Sequence, residues 1–204
     1  WVQHYTPEFE KRWRRYARPV GGSWRMDETY IKVRGEWVYL YRAVDKACKT
    51  VDFFLIRERD TNAAKAFLRK AMKGQRVPAK VTLDAYAASH RAVADLPIAR
   101  WQICPSRGGR FAHRAVADLK DSGELPKRVV VRSSKSLNNW IEQDHRRIRQ
   151  RLRPMLGLKS FETADMVISG IERADKIKKG PFKIGKLGGR RAMPQEIWQA
   201  ALSA

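Results

Sequence analysis

The sequence predicts an α/β domain, and three observations support this fold class. Three runs rich in β-branched and aromatic residues follow one another, a helical pattern comes next, and two short apolar runs then alternate with further helical patterns. The chain has 204 residues, of which 43% are hydrophobic and 10% aromatic, enough to bury one substantial core. We therefore expect five strands in one sheet with helices packed against it.

Each predicted strand rests on a run of residues typical of β-structure. The first three are joined at Arg34-Gly35 and at Asp45–Lys49 by turns short enough for antiparallel hairpins. The last two are apolar throughout, as buried central strands are. The predicted strands are Arg25–Val33, Trp37–Val44, Thr50–Arg57, Val81–Leu83 and Val129–Val131.

Three helices are predicted from apolar spacing and from the residues that end them. Thr61–Lys73 carries apolar side chains at helical spacing and should cross back over the sheet. Leu137–Arg153 ends at Pro154, and Phe161–Lys178 ends before Gly180-Pro181. The order expected along the chain is three strands, helix, strand, helix, strand and helix, with no bounds predicted for the helix between Val81–Leu83 and Val129–Val131.

The two ends of the chain differ from the domain predicted over residues 23–180. Residues 1–22 combine apolar and basic side chains at helical spacing, and we expect them to be the end of a longer amino-terminal helical region. Residues 181–204 are Gly-, Lys- and Arg-rich at first and are expected to form a flexible basic tail with a short helix.

The charge balance indicates a polyanionic partner. The 43 Lys and Arg residues against 21 Asp and Glu residues give a formal charge of +22, which favours nucleic acid. Neither a long apolar run nor a signal-peptide pattern is present, so a cytoplasmic, nucleoid-associated protein without a membrane partner is expected. Cys48 and Cys104 are interpreted as free thiols in a reducing compartment.

Two aspartates are placed by the predicted strands at neighbouring strand ends. Asp27 shares a face of the first strand with Thr29, Ile31 and Val33, where an unpartnered carboxylate is unfavourable. Asp84 directly follows Val81–Leu83, at the carboxyl end of a central strand, where open α/β sheets tend to bind ligands. These two acids are therefore candidates for one site.

A third acid, Glu142, lies on the predicted helix Leu137–Arg153. Arg146, Arg149 and Arg153 follow it at offsets of 4, 7 and 11 residues, on one helical stripe. Three converging carboxylates repel one another unless a cation neutralises them, and oxygen ligands suit Mg²⁺ or Mn²⁺ better than zinc. His145 is interpreted as a polar structural residue.

The chain resembles the DDE-type transposases of bacterial insertion sequences, within the group often found on resistance plasmids. Five segments spread over nearly the whole chain carry the resemblance. They are Trp24-Arg-Met-Asp-Glu-Thr-Tyr-Ile-Lys-Val33, Tyr39-Leu-Tyr-Arg-Ala-Val-Asp45, Val81-Thr-Leu-Asp84, Leu137-Asn-Asn-Trp-Ile-Glu-Gln-Asp-His-Arg146 and Arg153-Pro-Met-Leu-Gly-Leu-Lys-Ser-Phe161.

The resemblance implies a ribonuclease H-like catalytic domain with a mixed five-stranded sheet flanked by helices. It implies that Asp27, Asp84 and Glu142 form an acidic triad holding two Mg²⁺ or Mn²⁺ ions, and that Arg149 contacts DNA. Arg146 and Arg153 join Arg149 as expected phosphate contacts because they share its stripe. The implied activity is DNA cleavage and strand transfer at insertion-sequence ends, by a dimer or larger assembly.

A duplicated heptapeptide interrupts the expected spacing of the triad. His90–Leu96 recurs letter for letter as His113–Leu119, at an offset of 23 residues, and 57 residues separate Asp84 from Glu142. Without the offset, the separation would be 34 residues, and a separation of about 34 is what the resemblance implies. We therefore interpret a segment at about residues 90–112 as an insertion, which at this length adds about 1 kcal/mol of loop-closure cost.

Two other functions remain open from the sequence. A ribonuclease H-like nuclease would share the triad and would cut without joining, and a catalytically inactive DNA-binding remnant would bind DNA without metal-dependent turnover. Trp24, Trp37 and Trp140 are interpreted as core residues, with base stacking as the alternative.

Overall fold

The computed structural model describes most of the chain between residues 19 and 179. The described residues are 19–83, 108–134, 139–152 and 158–179, together with Glu8, Arg12, Met193, Gln195, Glu196 and Gln199. Most of the predicted amino-terminal region, of the basic tail and of the predicted insertion lies outside these residues.

Nine elements are assigned within the described residues. Eight of them follow the predicted ranges closely, and the ninth is the helix between the last two strands, for which no bounds were predicted. The strands are β1 (Ser23–Val33), β2 (Glu36–Asp45), β3 (Thr50–Ile56), β4 (Lys80–Leu83) and β5 (Val130–Ser133). The helices are α1 (Thr61–Gly74), α2 (Gly108–Asp121), α3 (Asn139–Leu152) and α4 (Phe161–Lys178). None of the helices in this part of the chain combines the length and apolarity that crossing a membrane would require.

All five strands lie in one mixed sheet with the order β3-β2-β1-β4-β5. β2 and β3 pair antiparallel, whereas β1 pairs parallel with β4, and β4 pairs parallel with β5. This mixed five-stranded sheet with helices confirms the α/β class and the architecture implied by the resemblance to ribonuclease H-like domains. β1 is the central strand, with β2 on one side and β4 on the other. β5 is an edge strand whose residues are exposed or half-buried, so the expectation that both short strands are buried and central is wrong for β5.

The β1–β2 connection is the two-residue turn predicted at Arg34-Gly35. Both residues have positive φ, 50° at Arg34 and 89° at Gly35, as hairpin turns matching the right-handed strand twist require. Glycine adopts this conformation at little cost because it has no Cβ. Trp37, just after the turn, was expected in the core, but 49% of its surface is exposed and the Lys32 ammonium lies 5.6 Å from its ring centre.

Asp45 shapes the β2–β3 turn and ties it to the start of β1. Its buried carboxylate accepts hydrogen bonds from the backbone N–H groups of Gly21, Ala47 and Lys49, at 2.8 to 2.9 Å. An ionised carboxylate with three backbone donors is well satisfied in a buried position. The turn and the entry to β1 are therefore held by one side chain.

Helix α1 begins at a standard amino-terminal cap. Asp60 has extended backbone, and its carboxylate accepts a hydrogen bond of 2.6 Å from the Ala63 N–H. The helix buries one apolar face, and Phe67 on that face stacks on Tyr41 of β2 with ring centres 5.9 Å apart. This face packs α1 against β3 and α2.

Helix α2 contains the second copy of the duplicated heptapeptide. Its Ala115, Val116 and Leu119 are buried, with exposed fractions of 1% or less. The first copy, at His90–Leu96, lies outside the described residues. One copy is therefore sufficient to supply the apolar contacts of this helix.

The chain forms two compact units. The larger unit comprises Gly21–Tyr30 and Tyr39–Gln143, and the smaller comprises Trp1–Val20, Ile31–Val38 and Asp144–Ala204. Within the smaller unit, Val33 bridges to Leu158, and the Arg34 N–H donates to the Leu158 carbonyl at 2.8 Å.

Candidate active site

Asp27 lies in β1 where the buried face of the strand changes. Trp24 and Met26 are buried in the first half of the strand, and Thr29, Ile31 and Val33 in the second half. Side chains alternate along a strand, so the two groups occupy opposite faces. Asp27 is partly exposed between them. The burial of Thr29, Ile31 and Val33 confirms the face predicted for Asp27.

The register between β1 and β4 pairs the residue that precedes Asp27 with the residue that precedes Asp84. Met26 pairs with Leu83, the last residue of β4. In the sequence, Asp27 follows Met26 and Asp84 follows Leu83. Asp84 itself lies outside the described residues, so its predicted site role stays a prediction.

Glu142 lies in the amino-terminal part of α3, and its backbone belongs to the same compact unit as Asp27. The helix buries Ile141, His145 and Ile148. The burial of His145 agrees with a structural role. The side chain of Glu142 lies outside what the structure describes, and the described part of the chain contains no group of three His, Cys, Asp or Glu residues that could hold a metal.

Three residues beside Asp27 form a buried cluster that sequence reasoning missed: Glu28, Tyr41 and Arg59. The Arg59 Nε lies 2.5 Å from the Glu28 Oε1, and the exposed fractions of these side chains are 13% and 8%. Tyr41 is fully buried on β2. Alternation along the strand could have revealed this cluster. It places Glu28 on the same face of β1 as the buried Trp24 and Met26, and an acid on a buried face needs a cation nearby.

The electrostatics of this cluster link Glu28 to Asp27. Burial raises the pKa of Glu28, and the neighbouring Asp27 charge raises it further, while the Arg59 charge and the Tyr41 hydroxyl lower it. Burial and the Glu28 charge raise the pKa of Tyr41. Tyr41 therefore stays a neutral phenol at physiological pH.

The donor chemistry around Asp27 fits a hard divalent cation. Asp27 offers carboxylate oxygens, and its charge acts unfavourably on Glu28. A cation bound at Asp27 would offset that repulsion, and oxygen donors are the ligands that Mg²⁺ and Mn²⁺ prefer. The residues present are thus compatible with the implied metal.

The arginines of α3 whose side chains the structure describes divide into two kinds. Arg146 and Arg149 are exposed, as expected for phosphate contacts, and Arg153 lies outside the described residues. Arg151 instead donates from Nη1 to the Asp175 Oδ1 of α4 at 2.6 Å. Arg151 therefore links two helices within the smaller unit.

Comparison with known proteins places the chain in a family. The family model described as "DDE domain" matches residues 21–102 and 108–181. Two transposases of Staphylococcus aureus, for the insertion sequence-like element IS431mec (strain Mu50) and for the insertion sequence element IS257 in transposon Tn4003, are each 34% identical over 172 residues. These residues cover 84% of this chain and 65% of each relative, so the chain spans about two-thirds of their length.

Solved structures of retroviral integrases show a weaker likeness. The catalytic core domain of BIV integrase matches with a TM-score of 0.45 and 14% identity, covering 88% of this chain and 94% of that domain. The catalytic core of HTLV-2 integrase matches with a TM-score of 0.46 and 11% identity, covering 89% of this chain and 97% of that domain.

The matched family model covers more than half of the chain, and this chain therefore belongs to the DDE-domain family of insertion-sequence transposases.

Proposed function

We propose that the chain is the catalytic part of a transposase that cuts DNA at insertion-sequence ends and joins those ends to target DNA. The proposed catalytic groups are Asp27, Asp84 and Glu142, and the proposed cofactor is two Mg²⁺ or Mn²⁺ ions. Membership of the family and the register at Asp27 support this proposal. A homo-oligomer is the proposed assembly, because the two ends of one element must be held near each other while they are joined to target DNA.

The observation that carries the proposal is the pairing of Met26 with Leu83. Consecutive Cα atoms are about 3.8 Å apart, and paired strands are about 4.8 Å apart. The backbone of Asp84 is thus tied by one peptide bond to the residue opposite Met26. This pairing supports the proposal that the two aspartates, which are far apart in the sequence, ligate one cation.

Glu142 is the proposed third ligand. The position of its backbone in α3 places it in the same compact unit as Asp27. In the proposal, its carboxylate completes the set of three oxygen ligands with the two aspartates. This geometry remains part of the proposal.

The three carboxylates would hold the metal ions next to the bound DNA. When bound, the ions would activate water or a DNA 3′-hydroxyl and would stabilise the leaving 3′ oxygen. The carboxylates fix where the scissile phosphate lies, and no residue forms a covalent bond to DNA.

The basic residues of α3 would position the DNA backbone. Arg146 and Arg149 are exposed on the helix that carries Glu142, and Arg153 follows on the same stripe in the sequence. Contacts from such residues go to phosphates and carry no base-sequence information. Together with the charge of +22, they predict DNA binding that weakens steeply with salt.

We include in the proposal that residues 90–112 are an insertion in the domain at residues 23–180. The family match is interrupted at residues 103–107, between the two heptapeptide copies. The second copy supplies the buried residues of α2. The remaining proposed parts are an amino-terminal DNA-binding region over residues 1–22 and a basic tail over residues 181–204.

The test is joining of pre-cut DNA ends of the element that encodes the chain, measured with and without Mg²⁺. Joining should require Mg²⁺ and should fall to background in Asp27→Asn and Asp84→Asn. Asp121→Asn is the matched control, because Asp121 is exposed on α2 and its replacement removes the same charge. Equal joining by wild type and Asp27→Asn would contradict the proposal.

Two other outcomes identify the alternative functions. Mg²⁺-dependent cutting without any joining would indicate a ribonuclease H-like nuclease. Salt-sensitive DNA binding without turnover in any variant would indicate an inactive DNA-binding remnant.

A further inference from the structure

We infer that the buried cluster of Glu28, Arg59 and Tyr41 is a positioning device for Asp27. The cluster holds the backbone of β1 so that the Asp27 carboxylate has its ligating position before a cation arrives. This inference rests on the proposed function, because it takes Asp27 to be a metal ligand. It adds three residues that do not themselves contact metal or DNA.

Glu28 is the residue of the cluster that lies next to Asp27 in β1. It is joined to Asp27 by one peptide bond, and alternation along the strand directs the two side chains to opposite faces of the sheet. Glu28 is 8% exposed, and its Oε1 lies 2.5 Å from the Arg59 Nε. An anchor on one face therefore restricts the backbone from which Asp27 projects on the other.

Arg59, the partner of Glu28, is itself restrained by the segments around it. Arg59 lies between the end of β3 and the first residue of α1, next to the cap residue Asp60. The guanidinium carbon of Arg59 also lies 5.6 Å from the centre of the Tyr39 ring, within cation–π range. Glu28 is thus anchored to a segment that a capped helix and a strand both restrain.

Tyr41 of β2 is the third residue of the cluster. Its ring is fully buried and stacks on Phe67 of α1. Its hydroxyl lowers the pKa of Glu28, and it forms no hydrogen bond within the described residues. Residues from β2 and from the β3–α1 connection therefore both hold β1 at the residue beside Asp27.

Stability alone is a poor reason for burying this ion pair. Taking two charges out of water costs about as much as their attraction returns, and apolar residues of similar volume often stabilise a core equally well. A buried ion pair does restrict the relative position of its two segments. Carboxylates that ligate a metal are commonly oriented by partners that hydrogen-bond to them, and loss of such a partner typically weakens metal binding about 10- to 100-fold. Glu28 acts through the backbone instead, so we expect an effect at the lower end of that range.

The experiment measures the dissociation constant for Mn²⁺ by electron paramagnetic resonance, on the full chain without DNA. Each variant is held at a temperature where circular dichroism shows it to be folded. We expect Glu28→Gln to raise the constant about tenfold, and Arg59→Lys, which keeps the charge but loses the planar guanidinium, to raise it less. Glu124→Gln is the matched control, since it breaks an exposed Glu–Arg pair in the same unit and should leave the constant unchanged.

The outcomes separate this inference from the proposed function. A Glu28→Gln variant that is folded and binds Mn²⁺ like the wild type overturns the positioning role. If Asp27→Asn also binds Mn²⁺ like the wild type, the metal site itself is wrong. If Glu28→Gln does not fold, Tyr41→Phe decides: it keeps the ring contact with Phe67, and we expect a two- to threefold rise in the constant, with no rise overturning the inference.

Discussion

Arg151 and Arg146 lie on the same helix, and we predict opposite consequences for their replacement by alanine. Arg151 pairs with Asp175 at 2.6 Å, and Asp175 is 4% exposed, whereas Arg146 is exposed. Arg151→Ala should therefore reduce the free energy of unfolding. Arg146→Ala should instead reduce DNA affinity.

The magnitude follows from the burial of the pair. Removing one partner of a buried ion pair costs about 3–5 kcal/mol, because the other charge is left buried. The Arg151 side chain is 34% exposed, so solvent screens part of the interaction, and we expect a loss of about 2–3 kcal/mol. The second Asp175 oxygen, Oδ2, is buried and makes no hydrogen bond within the described residues, so it cannot compensate. An exposed substitution such as Arg146→Ala should cost less than about 0.5 kcal/mol.

Two assays separate the effects. Urea unfolding followed by circular dichroism should show the midpoint of Arg151→Ala lower by about 1 M, given a slope of about 2–3 kcal/mol per M. In DNA binding across a salt series, Arg146→Ala should reduce the slope of log affinity against log salt by about 1, and Arg151→Ala should not. Adding Asp175→Asn to Arg151→Ala should recover part of the midpoint, since it removes the stranded charge.

The reasoning is refuted if Arg151→Ala and Arg146→Ala have the same urea midpoint. It is also refuted if Arg151→Ala alone changes the salt slope. The first result would mean that the link between α3 and α4 contributes little to stability, and the second that Arg151 contacts DNA.

Three further predictions concern the insertion, the α1 cap and pH. Deleting residues 90–112 gives the same sequence as deleting 97–119, and it should change the free energy of unfolding by less than about 1 kcal/mol in urea while retaining joining activity. Asp60→Ala should lower the free energy of unfolding by about 1 kcal/mol by removing the α1 cap, whereas Asp60→Asn should retain most of it. Arg69 lowers the pKa of Glu124 below 4.5, so the stability that their pair contributes should be present above that pH and lost as pH falls through the lowered value. Thermal melts of wild type and Glu124→Gln from pH 7 to pH 3 test this, and the difference should be small and screened by salt.

Each of the three has a result that would contradict it. Loss of cooperative unfolding after the deletion would mean that the added segment is part of the core. Equal stabilities of the two Asp60 variants would mean that the cap contributes nothing. A Glu124→Gln variant that loses stability on acidification as the wild type does would assign the loss to other carboxylates.

The amino-acid order alone was enough to predict most elements and the candidate triad. Strand and helix periods, turn residues and proline breaks are local, so the bounds of Phe161–Lys178 agree with the structure and those of β1 and β2 differ by at most two residues. The apolar face of Thr29, Ile31 and Val33 follows from alternation. The net charge likewise needs no folded structure to indicate a polyanionic partner.

Other features depend on partners that are distant in sequence, and only folding specifies them. Alternation assigns Glu28 to a face but does not say that Arg59, 31 residues later, will meet it. The basic pattern of α3 does not distinguish Arg146, which stays exposed, from Arg151, which pairs with Asp175 of α4. The pairing of Met26 with Leu83 depends on strand register, which hydrogen bonds between distant segments set. Local pattern thus defines which face a residue occupies, and long-range packing selects the neighbour that it meets there.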